Sequence, residues 1–167
     1  MSEHADRRPV SRYGWTTYAL AVLIVVLDQA VKAWIVGGLK LQEGDTIAIA
    51  GPLHFTRVMN AGVSFGFLRA DRDLARWALV VFSLVVAVLI LWWARRANRL
   101  LQLLGYGLIA GGAVGNAIDR ARLGYVVDFI DVQRIGFFPW VFNVADSAIT
   151  IGVIALLLDS LRREHAT

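Results

Sequence analysis

The chain has 167 residues, 57% of them hydrophobic, with no cysteine and a formal net charge of +4. That apolar content lies above the soluble-domain range, and the basic residues stand in short groups beside apolar runs instead of along one polar face, so nucleic-acid binding is not expected. The missing cysteines exclude disulfides, thiolate metal sites, a Cys nucleophile and lipidation on Cys, and His4, His54 and His165 form no His-Glu-x-x-His pattern, so neither a metal nor any other cofactor is expected.

Residues 1–12 are polar and place Arg7, Arg8 and Arg12 ahead of an uncharged run over 13–27. The run continues past Asp28 through Ala33-Trp34-Ile35-Val36 without a small-x-small cleavage site, and three more apolar runs follow. It therefore reads as a first membrane helix over about 15–36, not as a cleaved signal peptide. Residues 40–72 change texture: charges of both signs, Gly51-Pro52 as a turn signal, and β-branched or alternating stretches on either side predict a small strand-rich cap outside the membrane. Residues 63–68 are expected to form a short helix lying in the interface. The Gly62-Val63-Ser64-Phe65-Gly66 match to a nucleophile elbow is set aside, because that motif needs a strand-to-helix turn in an α/β sheet.

The second span is expected over 77–94, with Trp92-Trp93 as an aromatic anchor before Arg95-Arg96, and the third over 100–118. Gly107, Gly111 and Gly115 recur every four residues there, a small-residue stripe that lets another helix come close. The fourth span is expected over 139–158, with Pro139 near its first turn. Arg7, Arg8 and Arg12, then Arg95, Arg96 and Arg99, then Arg162 and Arg163 fall on one side of this four-span arrangement, which predicts that both termini are cytoplasmic.

Helical rise then sets depth. Asp28 and Asn116 lie ~24 Å from the inner side and Asp146 ~20 Å from it, at one level near the outer leaflet. Ionisable groups at such depth are costly and persist where they pair or do chemistry. Asp28 and Lys32 are i and i+4, an expected ion pair, and Asn116, Asp119 and Arg120 share a face of the third helix. Asn143, Asp146, Ser147 and Thr150 form the matching stripe on the fourth. Asp128 and Asp146 have no obvious cation beside them in sequence. If the two face each other they share a proton, leaving one base to take a proton from water and one acid to polarise a carbonyl, which is what amide hydrolysis needs. Two other classes remain open at this point: a proton-coupled transporter, disfavoured because the carboxylates sit at one face with no repeated half, and a structural membrane protein, which leaves Asp128 without a role.

These same residues resemble, over nearly the whole chain, the lipoprotein signal peptidases, or signal peptidase II, of bacterial inner membranes. Asp28-Gln29-Ala30-Val31-Lys32, Asn60-Ala61-Gly62-Val63-Ser64-Phe65, Gly111 to Arg120, Val127-Asp128-Phe129 and Phe142-Asn143-Val144-Ala145-Asp146 are similar, in order, to five boxes of that family. Val31 departs from the usual Ser or Thr and removes one hydroxyl. The resemblance implies an all-α membrane protein in which 1–167 is a single peptidase domain, with four transmembrane helices, a β-rich extracytoplasmic cradle around 40–60 and the short interfacial helix. It implies an aspartyl endopeptidase that removes signal peptides from prolipoproteins, cutting just before a diacylglyceryl-modified cysteine. Asp128 and Asp146 would be catalytic, and Asp28, Lys32, Asn60, Gly112, Asn116, Arg120, Asn143 and Ala145 would position the substrate or support the pair. The expected setting is the bacterial cytoplasmic membrane, multi-pass and monomeric among membrane lipids, with the active site near the outer leaflet.

Overall fold

A computed structural model of the chain describes residues 9–62, 72–136 and 140–164. Four helices, α1 (Arg12–Ala33), α2 (Arg72–Ala94), α3 (Leu100–Leu123) and α4 (Val144–Glu164), are long and apolar enough to cross a membrane. The hub is α3. In its most apolar stretch 61% of residues are buried, against 22–28% in the other three. The sequence reason is size: Gly105, Gly107, Ala110, Gly111, Gly112, Ala113, Gly115 and Ala117 are all buried on α3, and small residues let neighbouring backbones approach closely. The outward side chains of the other helices, among them Val22, Phe82, Val88, Ile154 and Leu157, stay exposed and apolar, as a lipid-facing surface requires.

Local chemistry sets the helix ends. Ser11 caps α1, accepting from the Gly14 N–H at 2.9 Å, and its hydroxyl donates to the Ala97 carbonyl at 2.6 Å, which ties the start of α1 to the α2–α3 turn. At its far end α1 continues as a π-helical turn, Trp34–Gly38. Gly124, at φ 85°, is the left-handed cap of α3; its N–H donates to the Arg120 carbonyl at 3.1 Å and the chain turns back.

A four-stranded antiparallel sheet covers this end of the bundle, in the order β1 (Thr46–Ala50), β2 (Leu53–Asn60), β3 (Val126–Asp131), β4 (Val141–Phe142). Its first hairpin turns at Gly51, φ 52°. Ile35, Leu41 and Phe129 are buried together, with Phe55, Ile130 and Val144 against them, and the Phe55 and Phe129 rings meet edge-on at 5.8 Å. The sheet is thereby seated on the end of α1.

The observed elements differ from the expected ones in three places. β3 and β4 add a second, sequence-distant half to the sheet expected from residues 40–60 alone. α4 starts at Val144, not near 139, because Val141–Phe142 pairs with β3. α3 continues past 118 to Leu123, with Asp119 paired to Lys32 inside the protein and Gly124 as its cap. The expected interfacial helix over 63–68, together with Ser64, Pro139, Arg7 and Arg8, lies outside the described residues.

Candidate active site

The chain enters α4 through a reciprocal cap. The Asp146 N–H donates to Asn143 Oδ1 at 2.9 Å, and the Asn143 N–H donates back to Asp146 Oδ2 at 3.3 Å. This is a capping box with Asn at the cap and Asp three residues on. It fixes the Asp146 carboxylate over the helix start, where the macrodipole favours negative charge. Asn143 is thus the cap and not part of a helical stripe. Ser147 and Thr150 donate their hydroxyls to the carbonyls of Asn143 and Asp146, four residues back.

Because its Oδ1 faces the cap, the amide of Asn143 presents Nδ2 away from the helix. That nitrogen donates to Asp128 Oδ1 at 2.7 Å and to Asn116 Oδ1 at 3.2 Å. Asn116 Nδ2 in turn donates to the other oxygen of Asp146, Oδ1, at 2.8 Å. The two amides therefore close a hydrogen-bonded ring with Asp146, from which Asn143 reaches out to Asp128. Asp128 comes from β3, four of whose residues, Val126 to Phe129, are buried. Alternation along a strand sends Phe129 to the apolar cluster under the sheet and Asp128 to the opposite face. Asn60, at the end of the neighbouring β2, donates Nδ2 to Asp128 Oδ2 at 2.9 Å. Burial pushes the Asp128 carboxyl up to about 6; the Asn60 and Asn143 donors pull it down, while the Asp146 charge pushes with burial.

Beneath the ring lies a buried charge cluster. Lys32 meets Asp28 and Asp119, each at 2.8 Å, and donates to Asn116 Oδ1 at 3.3 Å. The Asp28–Lys32 pair expected from spacing is present, and Asp119 is its third member. The lysine settles the direction of the Asn116 amide: with Oδ1 toward the ammonium, Nδ2 must face Asp146. Asp28 also accepts from the Ala145 N–H at 3.0 Å, satisfying a first-turn donor of α4 from α1. Asp119 accepts from the Val127 N–H at 3.1 Å and from Gln29 Nε2 at 2.8 Å, holding β3 beside Asp128.

Gly112 and Ala145 act through backbone approach. A Cβ at 112 would collide with the Ala145 carbonyl oxygen and meet Ile149 Cγ1 at 2.7 Å, and one at 115 would meet Asp28 Oδ2 at 2.7 Å. Arg120 lies within electrostatic range of Asp146, Asp128 and Asp119, with a buried Nε that has no hydrogen-bond partner among the described residues. Its backbone is held by Arg76, whose Nε and terminal nitrogen donate to the carbonyls of Arg120 and Ala121 at 2.7 and 2.6 Å. The structure thus gathers Asp28, Lys32, Asn60, Gly112, Asn116, Arg120, Asn143 and Ala145 around Asp128 and Asp146. Sequence reasoning missed Gln29, Arg76 and the bridging part of Asp119. For Asp119 there was a signal, a carboxylate inside a long apolar helix; for Arg76, none.

A family model described as Signal peptidase (SPase) II matches residues 20–162. A lipoprotein signal peptidase of Caulobacter vibrioides is 52% identical over 157 residues, covering 93% of this chain and 92% of its own. One from Nostoc punctiforme is 44% identical over 144 residues, covering 86% and 87%. A solved structure described as a bacterial membrane enzyme superposes with a TM-score of 0.76 at 28% identity and covers 93% of both chains.

Proposed function

The chain belongs to the signal peptidase II family, and from that premise we propose that Asp128 and Asp146 are the pair that hydrolyses its peptide substrate. It is a peptidase of the aspartic type, and nothing in its relatives points to a transporter. The substrate is a prolipoprotein whose signal peptide crosses the membrane beside the bundle, and the bond cut is the one before its diacylglyceryl-modified cysteine. The observation that carries this reading is the amide ring: Asn143 donates to both carboxylates, through Nδ2 to Asp128 and through its backbone N–H to Asp146, and Asn116 donates to Asp146, without neutralising either.

In the proposed reaction one carboxylate draws a proton from water as it attacks the scissile carbonyl, and the protonated partner donates to the carbonyl oxygen. Asp128, raised to about 6 by burial, is the proposed acid. Asp146, held by two donors from Asn143 and Asn116, is the proposed base. Arg120 and Asn60 edge the space where a substrate backbone would lie.

The setting proposed is the bacterial inner membrane, with the sheet as an extracytoplasmic cradle, both termini cytoplasmic and the pair near the outer leaflet, where a cleavage site would emerge. Residues 1–167 are proposed to act as one domain and as a monomer among lipids; light scattering should return one chain per detergent particle. The deciding experiment is cleavage of a diacylglyceryl-modified prolipoprotein peptide by the purified protein, with and without a chelator. Asp128→Asn and Asp146→Asn should remain inserted yet lose roughly 10²- to 10⁴-fold in turnover. Near-normal cleavage by either variant, or loss with chelator, removes the assignment.

A further inference from the structure

The corner between α3 and β3 carries a site residue on each side, Arg120 before it and Asp128 after it, with Gly124 as the cap between them. Two side chains brace this corner. Asp119 accepts from the Val127 N–H at 3.1 Å, which ties the start of β3 back to α3. Arg76, near the start of α2, meets the end of α3 with a fork: its Nε donates to the Arg120 carbonyl at 2.7 Å and Nη2 to the Ala121 carbonyl at 2.6 Å. The Ala121 carbonyl is among the last four of α3, which lack a partner within the helix. The Arg120 carbonyl already accepts from the Gly124 N–H at 3.1 Å and takes Arg76 on its second lone pair. A guanidinium in this place also stands at the negative end of the helix dipole, and its charge strengthens both bonds. Its remaining nitrogen, Nη1, lies 3.9 Å from the exposed Asp73, and its carbon sits 5.1 Å from the centre of the Trp77 ring.

The Arg120 side chain is confined by packing. Its Nε is buried with no hydrogen-bond partner among the described residues. A Cβ at Gly62 would meet Leu79 Cδ1 at 2.9 Å and Arg120 Nη2 at 3.4 Å, so the chain leaving β2, the guanidinium and α2 stand together without spare room. Leu79 is three residues from Arg76 and shares its face of α2. One face of α2 therefore holds the Arg120 backbone and closes the space around its side chain, whose charge lies within range of Asp146, Asp128 and Asp119.

We propose that Arg76 is a positioning residue of the peptidase: by clamping the last turn of α3 it fixes the Arg120 guanidinium relative to the two carboxylates. Turnover then depends on a side chain that lies outside their hydrogen-bonded network. The proposal rests on the peptidase reading and extends it to α2, which contributes none of the side chains assigned to that reaction. Misplacing such a group by about 1 Å costs up to about 10²-fold in rate, and a corner still braced by Asp119 should move less than that.

A double-mutant cycle in the full-length protein, read as kcat/KM on the diacylglyceryl-modified prolipoprotein peptide, tests it. Arg76→Gln should lower kcat/KM about tenfold, and Arg76→Lys, which keeps a charged donor near the same carbonyls, about threefold. Arg120→Gln retains both aspartates and hence measurable turnover. In that background Arg76→Gln should cost less than about twofold, because the group it positions is gone. Equal losses in the two backgrounds, or wild-type kcat/KM in Arg76→Gln whatever its unfolding temperature, overturn the proposal and leave Arg76 a structural cap. Should Arg76→Gln not fold, Arg76→Lys is carried through the same cycle under the same criterion. Failure of wild type to cleave the peptide removes the peptidase reading and this proposal with it, whereas wild-type cleavage with equal losses removes the proposal alone.

Discussion

The side chain of Asn143 touches Asp128 and Asn116, and caps the helix that carries Asp146, so its two replacements should separate these duties. Asn143→Asp keeps a cap but puts a third carboxylate between the two, whereas Asn143→Ala loses both cap and ring. The cap alone is worth about 1 kcal/mol, so stability should fall in Asn143→Ala and turnover should fall in both, measured by thermal unfolding and peptide cleavage. A fully active Asn143→Asp protein would show that the amide ring is dispensable. The raised Asp128 carboxyl also gives two pH predictions. Its folded value of about 6 exceeds the ordinary 3.8, so the folded state holds this proton more tightly than the unfolded chain does. The resulting stabilisation is full below about pH 4 and is lost as pH rises through about 6. Wild type should accordingly lose stability over that interval relative to Asp128→Asn. As the proposed acid, Asp128 should also give kcat/KM a limb that falls with rising pH near about 6. Asn60→Ala removes a donor that favours the ionised form, so the limb should move to higher pH; a limb that stays or moves down contradicts the assignment. These residues are legible in sequence as carboxylates and amides in an apolar chain. The direction of each amide is not, because it depends on Lys32 and on a cap that exist only once α1, α3 and α4 are together.

At the scale of elements, the site depends on how closely α4 approaches α3. Any side chain at 112 meets the Ala145 carbonyl, which is backbone and cannot swing aside, whereas one at 107 meets the side chain of Leu20 at 2.8 Å. Gly112→Ala should therefore displace the first turn of α4 and cost on the order of 10² in turnover, the scale of an ångström-level misplacement. Gly107→Ala should lower the unfolding temperature with a smaller loss of turnover. Similar losses of turnover in the two variants would mean that the glycines serve packing alone. The helices are readable from long apolar runs, and the first hairpin from Gly51-Pro52 and its flanks. The second half of the sheet is not, for a physical reason. Val126 to Phe129 are consecutively buried, so the alternation that marks a half-exposed strand is missing. Their partners on β2 lie far back in the chain, where local pattern has no reach. The same burial makes the start of α4 look longer than it is, since Val141 and Phe142 continue its apolar run while pairing with β3.

For the whole molecule, the distribution of polarity argues for chemistry at one face. The sheet, the charge cluster and the carboxylate pair share one end of the bundle, while α3 toward the other end buries Leu103, Gly105, Gly107, Ile109 and Ala110, with no carboxylate, lysine, arginine or histidine between them. That stretch of α3 offers no carboxylate for a proton path; a hydrolase acting at one surface needs none. The proposed orientation puts that surface outside, because the positive-inside rule favours the arginines of the α2–α3 turn in the cytoplasm. The absence of cysteine makes the assignment testable with single substitutions. Ile49 is 46% exposed on β1, and Asn98 is exposed in the turn at the opposite end. In intact spheroplasts a membrane-impermeant maleimide should label Ile49→Cys at once and Asn98→Cys only after permeabilisation. The reverse pattern would put the carboxylate pair on the cytoplasmic side, where a signal peptide presents its positively charged start and not its cleavage site, and the proposed substrate would have to be abandoned with the orientation.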